Sequence, residues 1–135
     1  MVDPVWHEFR DSVHSKQFQR AAALLVAHPR LVSIKDGSGK TVLHDLAIEN
    51  DIDGVAWLHA HGFDLDTQNE FGVPVCFEVA QLGYKEILLW FKQTGANFHA
   101  LDGEGNALID YLRQFNTAEV RDMIEFVSGL FLPDS

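Results

Sequence analysis

Along this chain, short apolar stretches alternate with polar, glycine-bearing turns, and within each stretch the apolar residues recur at helical spacing. TVLHDLAI at 41–48, PVCFEVAQL at 74–82 and ALIDYLRQF at 107–115 each predict a short helix with one buried face. A second helical stretch follows each of them: IDGVAWLHAHG at 52–62, YKEILLWFKQTG at 84–95 and TAEVRDMIEFV at 117–127. Upstream, Asp3-Pro4 reads as an N-cap followed by proline in the first turn, after which Trp6, Phe9 and Val13 share a helical face. Phe18 to Ala27 predicts the partner helix, ending at His28-Pro29.

The pattern is periodic. Asp36-Gly37-Ser38-Gly39 recurs as Asn69-Glu70-Phe71-Gly72 and again as Asp102-Gly103-Glu104-Gly105, with an offset of 33 residues both times. Trp57 and Trp90 stand at the same offset in the second helices, and so do Gly62 and Gly95, which close those helices. A unit of 33 residues made of a turn and two helices resembles the ankyrin repeat, whose signature at the first helix is T-P-L-H-x-A. Thr41-Val42-Leu43-His44-Asp45-Leu46-Ala47 matches it, with Val42 in place of proline. The next unit departs further at Pro74-Val75-Cys76-Phe77 but keeps Gly83, Gly95, Ala96 and Asn97 at family positions. Ala107-Leu108-Ile109-Asp110 has lost the threonine, proline and histidine, in the manner of a terminal cap.

The resemblance covers about residues 3–131. It implies an all-α solenoid in one domain, with an N-terminal capping repeat at 3–35, repeats at 36–68 and 69–101, and a C-terminal cap at 102–131. Neighbouring units must cover each other's apolar faces, so Leu43, Cys76 and Leu108/Ile109 are expected to line one core with Leu58, Phe91 and Ile124.

Charge changes the picture of partners. Ten basic residues against twenty acidic give a formal net charge of −10, which repels phosphate backbones and argues against nucleic acid. The first 35 residues are nevertheless net basic, with five cations against three carboxylates, whereas 36–68 holds one against seven. A basic protein partner follows as an expectation. No apolar run approaches the ~20 residues of a bilayer span, and MVDPVWHEF lacks the basic start and apolar run of a signal peptide. With a single cysteine the expectation is a cytoplasmic protein that contacts no membrane and is a monomer when free.

Candidate chemistry falls away on inspection. GSGKT at 37–41 lacks the first glycine of a phosphate loop, Ile34 standing there. The start of an EF-hand at Asp102 fails because Ala107 replaces the sixth-position glycine and Arg113 the bidentate glutamate. His59 and His61, two apart, have no third ligand at metal spacing. Cys76 aligns with core Leu43 and reads as buried and inert. Asp51, Asp53, Asp64 and Asp66 sit at turns and helix starts, where carboxylates accept backbone N–H groups. The resemblance implies for His44 a hydrogen-bond network with Thr41 and nearby backbone. No catalytic residue, cofactor or metal is expected.

The ankyrin resemblance also implies a binding surface, built from turn tips and the inner face of the first helices. Mapped onto this chain, it takes Ser38, Lys40, Ile48, Glu49 and Gln68 from the first full repeat. The second contributes Glu70, Phe71, Val73, Gln81, Leu82 and Leu101, and the third Glu104, Asn106, Gln114 and Phe115. Six of these are apolar at places that face solvent in the family, the composition of an interface centre with a polar rim. The expected function is non-catalytic binding of another protein on the concave face, as a dedicated inhibitor or immunity protein of a basic toxin or enzyme. The alternative is a scaffold or adaptor joining two proteins. A C-terminal tail, 129–135, folding back over part of that face is the competing explanation of its apolar residues.

Overall fold

The computed structural model describes residues 3–130, and among these every regular element is helical. In chain order the α-helices are α1 (Pro4–His14), α2 (Phe18–Ala27), α3 (Val42–Ile48), α4 (Ile52–Ala60), α5 (Val75–Gln81), α6 (Lys85–Thr94), α7 (Leu108–Leu112) and α8 (Ala118–Leu130). A single turn of 3-10 helix, Pro29–Val32, follows α2. An isolated bridge between Gln68 and Pro74 is the extended pairing found among the described residues.

Local chemistry sets the boundaries. Asp3 caps α1 by accepting the Val5 N–H, with Pro4 in the first turn where its missing N–H costs nothing. Thr41 caps α3 through its hydroxyl, and Asp51 caps α4 by accepting the Gly54 N–H at 3.1 Å. Helix α6 ends at Gly95 with φ +102°, a left-handed residue that lets the Ala96 N–H reach back to the Phe91 carbonyl.

The helices pair as α1/α2, α3/α4, α5/α6 and α7/α8, and the first members α1, α3, α5 and α7 each contact the next in line. No pair covers its own apolar side, so the core runs through the stack: Phe9, Leu43, Leu46, Leu58, Phe77, Phe91, Leu112 and Met123 are all fully buried. Aromatic contacts cross from unit to unit. Phe9 stacks on Phe63 with ring centres 5.8 Å apart, Phe18 on Trp57 at 5.4 Å, and Phe77 meets Tyr111 at 5.4 Å. Leu43, Cys76, Leu108, Leu58 and Phe91 are core residues as the repeat arithmetic requires, whereas Ile109 is half-buried.

At Ile124 the expectation is corrected. The fully enclosed residues of α8 are Val120, Met123 and Val127, and Ile124 is half-buried beside them. Thr117 caps α8 at the Val120 N–H, and from that start the spacing 120, 123, 127 aims Met123 inward.

Candidate functional site

The surface to be tested begins at three turns. In each, a side-chain oxygen gathers the backbone N–H groups of the loop: Asp36 Oδ1 accepts from Ser38 and Lys40, Asn69 Oδ1 from Phe71 and Val73, and Asp102 Oδ1 from Glu104 and Asn106. Those bonds, all 2.8–3.1 Å, fix the tips without help from the core. The tips also lock to each other. Glu70 N–H donates to the Ser38 carbonyl at 3.1 Å. A Cβ on Gly39 would stand 2.6 Å from Glu70 N, and one on Gly103 only 3.2 Å from the Phe71 carbonyl carbon, so glycine is required where adjacent turns touch.

On this ladder stands Phe71, 73% exposed, the most open aromatic side chain of the described residues. Leu101, 55% exposed, precedes the third turn, and Leu82, 42% exposed, is the C-cap of α5. Glu49, Gln68, Glu70, Glu104 and Gln114 are exposed as well. The remaining mapped positions are less open. Ile48, Val73 and Phe115 are half-buried, the last two packed against the core, with the Phe115 ring 5.2 Å from that of Tyr111. The apolar part of the surface is therefore three side chains, not six. Ser38, Lys40, Gln81 and Asn106 are half-buried; the Gln81 carbonyl accepts the Tyr111 hydroxyl at 2.6 Å, and Asn106 bonds back to Asp102. Of the tail, residues 131–135 lie outside the described residues.

Behind the turns, electrostatics ties unit to unit. His44, fully buried, places Nε2 2.8 Å from Glu78 Oε1, and Asn69 Nδ2 donates to the same oxygen at 2.7 Å. Burial would raise the Glu78 carboxyl, but the His44 contact, Asn69 and nearby Lys40 outweigh it and hold it below the ordinary range. This corrects the expected network: Thr41 Oγ1 accepts the His44 backbone N–H at 3.4 Å, and the ring turns to the next unit instead. Asp45 is engaged by Arg10 of α1 at 2.8 Å. Asp51, its side chain 7% exposed, faces His14 and Lys16 in addition to capping α4. Burial pushes its carboxyl up, and the bonds from Lys16, His14 and Gly54 bring it below the usual value.

Residue spacing carried a signal for these pairs that repeat arithmetic alone overlooks. Arg10/Asp45, Lys16/Asp51, His14/Asp51, His44/Glu78 and Lys85/Asp122 are separated by 34–37 residues, one repeat plus one to four. At that spacing a carboxylate faces a lysine, arginine or histidine across the joint between units.

The elements of reaction chemistry are scattered. Cys76 is 2% exposed, and burial, with Asp66 adding to it, pushes its thiol up to about 12, far from a nucleophile's range. Among the described residues no three His, Cys, Asp or Glu side chains converge to hold a metal ion, and no helix is long and apolar enough to cross a membrane. His61 stacks on Trp57 with ring centres 3.9 Å apart and places Nδ1 2.8 Å from its carbonyl, while His59 meets Trp90 edge-on.

Residues 43–91, which run from α3 into α6, match the family model described as ankyrin repeats (many copies). Over that segment this chain carries ankyrin repeats. No curated protein matches it. Ankyrin repeats indicate a protein–protein interaction module, and the family is generally non-catalytic.

Proposed function

We propose that this protein works without catalysis, by binding one partner protein across its turn tips and first helices. Phe71 carries the reading. A large aromatic ring left three-quarters in water, on a backbone fixed by two Asn69 bonds and by both neighbouring tips, is the preorganised anchor that a binding surface uses to limit its entropy cost. Leu101 and Leu82 extend the apolar contact, Glu49, Gln68, Glu70, Glu104 and Gln114 give it an exposed polar rim, and Ser38, Lys40, Ile48, Val73, Gln81, Asn106 and Phe115 stand half-buried behind them.

The partner is basic. Arg10, Lys16, Arg20 and Arg30 all pair with carboxylates of this chain, which uses up most of the cationic charge of the first unit and leaves the acidic surplus outward. Occupying a basic protein suits a dedicated inhibitor or immunity protein of a toxin or enzyme. An adaptor would instead need a second, separable face. Pull-down from the native host with the parent chain, Phe71→Ala and the outer-helix change Glu86→Lys, read by mass spectrometry, tests the assignment. A partner lost with Phe71→Ala and kept with Glu86→Lys supports it, and the reverse pattern moves the site to the outer helices.

A further inference from the structure

We infer that the Phe71 tip receives an arginine side chain of the partner, the guanidinium lying on the ring face with the Glu70 and Glu104 carboxylates as its acceptors. The inference rests on the turn face being the interaction surface and names the chemistry it selects. Glu70 adjoins Phe71 in the chain, and Glu104 occupies the equivalent tip of the next turn, whose Gly103 packs against the Phe71 carbonyl. Both carboxylates are exposed and neither is in an ion pair among the described residues, although Arg10, Lys16, Arg20, Arg30 and Lys85 all are. An open aromatic ring thus shares its turn with one unpaired carboxylate and adjoins the turn that carries another.

Three kinds of side chain could meet that face, and the flanking charges discriminate among them. An aliphatic side chain gains area on the ring but strips water from two carboxylates that it cannot hydrogen-bond. A lysine ammonium is compact and strongly hydrated, and satisfies one acceptor well. A guanidinium stacks its plane on the ring while its edge donors reach acceptors on opposite sides, and it is the more weakly hydrated cation. The stiffness of the ladder matters here. Because Glu70 N–H is bonded to Ser38 and Glu104 N–H to Asp102, the tips that carry the two carboxylates are held in place before the partner arrives.

The test uses capped tripeptides as probes: acetyl-Leu-Arg-Leu-amide and its lysine, citrulline and norleucine versions, titrated at millimolar concentration into the isotope-labelled full chain and followed by amide NMR shifts. The arginine peptide is expected to move Glu70, Phe71 and Glu104 and to bind about threefold or more tightly than the lysine peptide. The neutral citrulline and norleucine peptides should be weaker still. Phe71→Ala should abolish the shifts, and the double change Glu70→Gln with Glu104→Gln should erase the preference for arginine over citrulline. Equal shifts at the same residues from norleucine would overturn the arginine assignment while leaving the interaction surface standing. A separate cleft is lined by Val32, Lys35, Thr41, Asp64 and Asp66; arginine shifts confined to it would overturn both, and no shift with any peptide overturns the arginine assignment.

Discussion

Replacing Gly54 by alanine should destabilise this protein, although glycine to alanine inside a helix ordinarily stabilises it by about 1 kcal/mol. Gly54 is the third residue of α4, and its N–H is the one that Asp51 caps. A Cβ there would lie 2.9 Å from Asp51 Cγ, closer still to the Oδ2 that faces His14, and 3.2 Å from Leu46 Cδ1. The carboxylate has no free direction in which to retreat, since Lys16, His14 and the Gly54 N–H hold it from different sides. Displacing it forfeits the cap, worth about 1 kcal/mol, and leaves a nearly buried charge with poorer partners, which costs a further ~1–3 kcal/mol. Against the propensity gain the net is a loss of about 1–3 kcal/mol.

The reasoning becomes sharp when Asp51 is removed. Asp51→Ala alone should cost about 2 kcal/mol through the lost cap and the inter-unit pair, discounted because Lys16 and His14 are nearly half exposed. In that background the obstacle to a methyl at 54 is gone, apart from the contact with Leu46, and Gly54→Ala should become neutral or stabilising by up to ~1 kcal/mol. The sign of one substitution is thus set by another three residues away. Urea unfolding of the parent, both single variants and the double variant, followed by far-UV circular dichroism, gives the coupling energy directly. Additive effects, or a Gly54→Ala single variant more stable than the parent, would show that the carboxylate is not the object that confines residue 54.

Other expectations follow from the same geometry. Leu43→Ala, in the centre of the stack, should cost about 2–5 kcal/mol, while Ser38→Ala at a tip should stay within about 0.5 kcal/mol; equal costs by denaturant titration would refute the core assignment. Glu78 and Asp51 have carboxyls held below their ordinary values, so the stability they contribute is fully present above about pH 5 and is lost as pH falls through their lower folded values. Glu78→Gln should therefore lower stability at neutral pH and flatten its decline in acid, and an unchanged acid profile would contradict that role. Cys76, with its thiol near 12 and buried, should resist a thiol-specific dye in the native protein and react only on unfolding; fast native labelling would place it elsewhere. Melting temperatures with and without EDTA should agree.

The helix pairs were legible because a strict 33-residue period reinforces weak local signals: a seven-residue helix such as α3 or α5 is too short to be convincing alone, but recurs in register. What period cannot resolve is rotation about a helix axis by one residue. Ile124 and Met123 are both apolar and adjacent, and only the Thr117 cap and the wall of neighbouring side chains choose Met123 for the interior. The same limit acted on His44. Its position was legible, but the ring's partner was not, because Glu78 lies 34 residues away on another helix and enters through stacking rather than sequence proximity.

The candidate surface was legible in outline and overdrawn in its apolar content, for a reason that bears on how such a surface is built. A turn in which one Asx side chain gathers two N–H groups presents its residues unequally. At the Asn69 turn both Phe71 and Val73 donate to the same oxygen, yet Phe71 is left open and Val73 folds in against the core. Position within the repeat specifies that a residue belongs to the turn, and the hydrogen-bonded geometry of that turn decides which side chain meets water. The two outcomes do different work. Val73 roots the turn, and Phe71, whose backbone is thereby anchored from below and by Ser38, Glu70 and Gly103 on either side, is held rigid without being covered. An exposed aromatic on a mobile loop would lose much of its contact energy to ordering on binding; one on this ladder has already been ordered by folding. That is why a single open ring here outweighs the half-buried apolar neighbours at 48, 73 and 115 as the centre of the proposed binding surface.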